Sequence, residues 1–232
     1  MSTPNQIRQL EFSDEFIEAY LVENVKDFIV EDGIVVNLDN DTAKIGGPIP
    51  TIVPAWKSTI LHNGIVSDAK RIAVFNVRSE TNLGGLTFGK WDWFGNRFAK
   101  FPRTTPLYIS QYDYVTEIKL DPFVFANQRK QSDDIRKYQL RLNLWWSPTN
   151  TDCYMHNEHP FIEIHTQIYG TGRIQKFRER DDATLYGQIT MAPGYTHDPF
   201  AYIAEDGLPR YPWHRYWSDS DAIWLAIEFH PL

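Results

Sequence analysis

The hydrophobic pattern changes character once along the chain. After Ser13, a candidate N-cap, Phe16, Ile17, Tyr20, Leu21 and Val25 recur at i, i+3 and i+4 spacing. That periodicity predicts a helix over residues 14–28, closed by Glu31-Asp32-Gly33. From residue 34 onward the apolar positions come in short or alternating runs: 34–38, 72–77, 86–88, 107–109, 115–120, 138–145, 161–169, 173–177, 185–190, 214–217 and 222–229. Thirteen glycines and fourteen prolines punctuate these runs, the signature of many short strands joined by turns. The pattern predicts an all-β sandwich or barrel over residues 34–232, preceded by an N-terminal helical extension over residues 1–33. No linker divides the chain.

Charge and composition narrow the functional classes. The net charge of −7 comes with no basic stripe, because the densest cationic stretch, 173–180, contains Glu179 and runs into Asp181 and Asp182. A nucleic-acid partner is not expected. Neither is a membrane partner, since the longest apolar runs fall far short of the roughly 20 residues of a spanning helix. Cys153 is the single cysteine, so no intramolecular disulfide forms, and the first twelve residues lack an apolar signal core. Together these point to a cytoplasmic protein. Dinucleotide and P-loop sites, a Cys-x-x-Cys zinc site and a Gly-x-Ser-x-Gly nucleophile elbow are all missing from the sequence. The tryptophan pairs Trp91/Trp93 and Trp145/Trp146 fit core packing better than ring stacking on a ligand.

Candidate chemistry is concentrated late in the chain. Six of the seven histidines, His156, His159, His165, His197, His214 and His230, follow residue 155. On an unbroken strand, residues two or four apart share a face. His159, Glu163 and His165 would then point the same way, joined by Asn157 if the strand starts early. Imidazoles and a carboxylate on one buried face call for a shared cation.

These residues resemble the first motif of the cupin superfamily of RmlC-like jelly rolls. His159, Glu163 and the Gly170-Thr171-Gly172 turn fall in register with it, while Asn157 stands where the motif's first histidine belongs and His156 lies one place early. The second motif is matched locally by Gly187 to His197. By topology it is matched by His214, ahead of a polar turn and the last strand; the balance leans to His214. The resemblance covers residues 138–232 and implies a cupin-type jelly-roll β-barrel, with the N-terminal helix and further strands added to it.

The resemblance also implies a divalent metal held by His159, Glu163, His214 and Asn157, with His156 and His197 as alternative ligands. Fe(II) comes first among the metals, then Zn, Mn or Ni. His165 and His197 would move protons, and Tyr169, Tyr195 and Trp213 would line a substrate pocket. The implied function is a metal-dependent enzyme acting on a small polar or aromatic metabolite, with dioxygenase or isomerase/lyase chemistry. A non-catalytic cupin that binds a sugar or another small ligand is the alternative, and a homodimer is the expected assembly.

Overall fold

In the computed structural model, residues 3–78, 85 and 89–232 are described; the run at 86–88 lies outside them. The regular elements among the described residues are almost all antiparallel strands. Five come first: β1 (Gln6–Gln9), β2 (Ile17–Asn37), β3 (Ala43–Gly46), β4 (Thr51–Val53) and β5 (Ser58–Val77), ordered β1-β2-β5-β3-β4. Then follow β6 (Asp92–Trp93), β7 (Tyr108–Ile109), β8 (Asp113–Leu120), a one-turn helix α1 (Pro122–Phe125), β9 (Arg136–Ser147), β10 (Thr151–Asp152) and β11 (Ile162–Tyr169). The chain closes with β12 (Gly172–Phe177), β13 (Leu185–Met191), β14 (Tyr202–Ile203), β15 (Pro209–Arg210), β16 (Trp213–Ser218) and β17 (Ala222–Pro231).

The helix expected over residues 14–28 is instead the first half of β2. Ile17, Ala19 and Leu21 face one core, whereas Val22, Val25 and Val30 face another. Asn24 and Asp27 adopt left-handed backbone, with φ of 54° and 46°. Each interrupts strict alternation, so the inward positions change parity on either side of it. Two opposite faces superimposed in this way imitate helical spacing. The strand also runs on through residue 33. There Gly33 lets the ribbon curl back, because a Cβ would stand 2.9 Å from the Phe75 carbonyl oxygen. Residues 34–36 therefore pair with both 58–60 and 73–75, and Asn37 pairs with Ile72.

The two other main sheets make the C-terminal architecture. A six-stranded sheet runs β11-β17-β9-β7-β6, with β8 also on β9, and a four-stranded sheet runs β10-β16-β12-β13. The expected closed jelly-roll barrel is not found: among the described residues the strands form separate sheets with no closed ladder. Alternation divides the six-stranded sheet into two unlike faces. Leu140, Leu142 and Leu144 of β9, Ile162 and Ile164 of β11, and Leu225 and Ile227 of β17 pack against Leu21, Val36 and Phe75 of the N-terminal sheet. The opposite face presents Glu163, His165, Trp145, Trp224 and Glu228 to a cavity of about 490 Å³, which β16 also borders. No helix among the described residues is long and apolar enough to cross a membrane.

Candidate metal centre

Three elements bring the cavity's histidines together. β16 carries His214. The segment after β10 runs beside it, with reciprocal backbone hydrogen bonds of 2.9 Å between His156 and His214. The loop entering β11 supplies His159, and β11 itself supplies Glu163 and His165. β11 begins at Ile162, so His159 and Asn157 precede the strand and do not share its face by alternation, as the sequence pattern had implied. At its far end, Gly170 (φ 65°) makes the tight turn into β12.

Ligand nitrogens of His156, His159 and His214 all lie within 4.8 Å of one another. His159 Nε2 is 2.8 Å from His156 Nε2 and 3.1 Å from His214 Nε2. Glu163 Oε1 stands 3.3 Å from His159 Nε2, and Glu163 Oε2 is 3.5 Å from His165 Nε2. The outer ring nitrogens define the tautomers. His156 Nδ1 is 2.9 Å from the Tyr154 carbonyl oxygen, and His214 Nδ1 is 2.9 Å from that of Pro212. A carbonyl only accepts, so each Nδ1 carries the proton and each Nε2 turns a lone pair inward.

Protonation follows the same logic. Burial, then the neighbouring His159, lowers His156 to about 4. Burial, then His156 and His159, holds His214 well below its ordinary value. Burial pushes the Glu163 carboxyl up, but His159, His165 and His214 outweigh it and leave the group well below the usual carboxylate range. Two bare imidazole nitrogens and an ionised carboxylate oxygen thus surround His159 Nε2, whose single proton can satisfy only one of them. One cation among them would satisfy the whole donor set. Neighbouring ligands on an ion with bonds of about 2.1 Å sit about 3 Å apart in octahedral geometry, so the spacings fit a divalent metal.

The other expected residues are distributed as follows. Asn157 borders the same cavity. His165 does too, with a buried Nδ1 that has no hydrogen-bond partner among the described residues. His197 stands apart from the three-histidine group. Its Nδ1 donates to the Asp198 carbonyl oxygen at 2.7 Å, and its Nε2 accepts the His165 backbone N–H at 2.8 Å. Trp213 borders the cavity, whereas Tyr169 and Tyr195 are exposed and outside its lining. Trp145 also borders it; Trp91 and Trp146 are core residues.

Two residues escape the sequence pattern. Tyr211 accepts the Glu163 N–H at 2.9 Å and donates to the Phe161 carbonyl oxygen at 3.3 Å, fixing the start of β11. No spacing announces it. Glu228 is buried opposite Glu163 in the β11–β17 ladder, hydrogen-bonded to Asn143 and 2.7 Å from His230. A lone carboxylate in the apolar run 222–229 was its available signal.

No protein-family model matches the sequence, and no curated protein matches it. Among solved structures, the chain is similar to an RmlC-like cupin protein from Desulfovibrio desulfuricans, with 10% identity over 50% of this chain and 83% of that one, at a TM-score of 0.29. Lactobacillus farciminis oxalate decarboxylase in its formate complex shows 10% identity, covers 100% of this chain and 83% of its own, and has a TM-score of 0.31. Bacillus subtilis oxalate decarboxylase, studied for its Mn(II) centres, shows 10% identity over 100% and 79%, with a TM-score of 0.30. These likenesses are loose.

Proposed function

We propose that the chain is a cupin-type metal-dependent enzyme, with His156, His159, His214 and Glu163 holding one divalent cation at the inner end of the cavity. The observation that supports this most directly is the convergence of two bare imidazole nitrogens and a carboxylate oxygen on His159 Nε2, within 2.8–3.3 Å. Such a metal would supply Lewis acidity to a bound carbonyl or, as Fe(II), the means to handle dioxygen. The substrate class is a small polar or aromatic metabolite, and the chemistry is of dioxygenase or isomerase/lyase type.

The chain's own residues have separable roles in this reading. Glu163 contributes the negative charge that offsets the cation. The Tyr211 hydroxyl holds the backbone of Glu163, and the Tyr154 and Pro212 carbonyls fix the tautomers of His156 and His214. His165, beside Glu163 and open to the cavity, is positioned to give or take a proton from substrate. Phe161 and Phe200 pack on the imidazoles of His159 and His214 and keep bulk water from them.

Elemental analysis of protein purified without chelators and reconstituted separately with Fe(II), Mn(II), Zn(II) and Ni(II) tests the proposal. About one metal per chain is expected, with His159→Ala reducing it at least tenfold. A wild-type content below about 0.2 per chain for every metal would overturn the reading. If His159→Ala lost its metal but kept full affinity for a ligand, the non-catalytic alternative would take its place.

A further inference from the structure

The cavity has a second end. Lys100, Arg180 and Glu158 border its mouth, and no side chain of opposite charge among the described residues lies within ion-pair distance of any of the three. Arg215, the other cation on the lining, is already committed to Asp152 and Asp182. Arg180 is held in place by aromatic faces, its guanidinium carbon 5.1 Å from the Tyr154 ring centre and 5.6 Å from that of Trp213. From there the wall runs inward as rings. Tyr154 lies parallel to His156, 6.1 Å away at 9°, and Phe98 and Phe101 meet Tyr154 edge-on at 6.1 and 5.6 Å.

This sequence of surfaces sets out a ligand: cationic at the mouth, flat and apolar along the wall, imidazole-lined at the inner end. Tyr154 neighbours both Arg180, at 5.1 Å, and His156, at 6.1 Å, a span that suits one or two fused rings. A volume of about 490 Å³ suits a small ligand of that kind. We propose that the cavity binds a flat apolar acid, its ring along Tyr154, Phe98 and Phe101 and its anionic group outermost, on Arg180 and Lys100. Glu158 leaves the mouth with a net charge of +1, which neutralises a monoanion in full and a dianion only in part. The inner end of this assignment rests on the metal-centre reading; the mouth and wall do not.

Titration calorimetry with 2-naphthoate and its neutral isostere 2-naphthamide tests the assignment, on both Zn(II)-loaded and metal-free protein. 2-Naphthoate is expected to bind about tenfold more tightly than the amide, the worth of one charge-assisted contact. In the double variant Arg180→Gln/Lys100→Gln the preference should fall to within about twofold, with zinc content unchanged. Equal affinities in the wild type overturn the proposal, as does failure of 2-naphthoate to bind at about 1 mM. A preference that survives the double variant and needs zinc also overturns it, by putting the carboxylate on the metal. Protein that takes up no zinc yet shows the Arg180-dependent preference supports this assignment while removing the metal-centre reading.

Discussion

A buried histidine with both nitrogens engaged resists protonation, and His197 is such a residue. Its ring is fixed between the Asp198 carbonyl and the His165 backbone N–H, and burial lowers it to about 3. An unfolded histidine titrates near 6.5. Below about pH 6.5 the unfolded chain therefore takes up a proton that the native ring refuses, and stability drains as pH falls toward 3, by up to roughly a few kcal/mol. His197→Asn removes that titration along with the two hydrogen bonds. At pH 7.5 the variant should be less stable by about 1–3 kcal/mol, and by pH 5 the gap should narrow. Urea unfolding at the two values measures it, and a gap that stays constant would refute the account. The sequence favoured His214 over His197 on topology alone, because Gly-x-x-His spacing is the same whether a ring faces the cavity or a loop carbonyl. The approach of His159, Glu163 and His214 to one another was suggested by their residue types late in the chain, although His159 comes from the loop before β11 and not from the strand; Tyr211 gave no such signal, since it acts only through backbone groups.

The element most misjudged from sequence, β2, shows what a pattern can and cannot carry. Strand propensity was plain over residues 34–36, a β-branched run, and over residues 138–144, where alternation is unbroken. Between residues 17 and 30 it is broken by Asn24 and Asp27, and after glycine, asparagine and aspartate accept left-handed backbone at least cost. Their identity was the available clue, hidden because both are ordinary on the polar face of a helix. The same conformation yields a prediction. Asn24→Val places a β-branched side chain at positive φ and should cost about 1–2 kcal/mol, whereas Asn24→Gly should be close to neutral. Thermal denaturation distinguishes them. Equal losses in both variants would mean that the Asn24 side chain, and not its backbone, matters.

On the scale of the molecule, the cavity depends on a sheet that never touches it. The six-stranded sheet holds Glu163 and His165 in place only while its other face is covered, and that cover is the N-terminal sheet: Ile17, Leu21, Val36 and Phe75 against Leu142, Ile164, Leu225 and Ile227. Polar ties reinforce the apolar contact. Arg8 grips the buried Asp113 carboxylate with two hydrogen bonds of 2.6 and 2.7 Å, and Ser58 and Thr166 both meet Thr196 at 2.6 Å. Thr196 precedes His197, so the N-terminal ribbon also braces the loop that fixes the backbone of His165. A shared core this continuous argues for one cooperative unit. Tryptophan fluorescence and far-ultraviolet circular dichroism should therefore report coincident urea transitions for the whole chain. A fragment comprising residues 85–232, stripped of its apolar cover, should aggregate or lack fixed packing and should not take up metal, although it carries every candidate ligand. A soluble fragment of that kind binding one metal per chain would show that the N-terminal sheet is an accessory to the site and not its foundation.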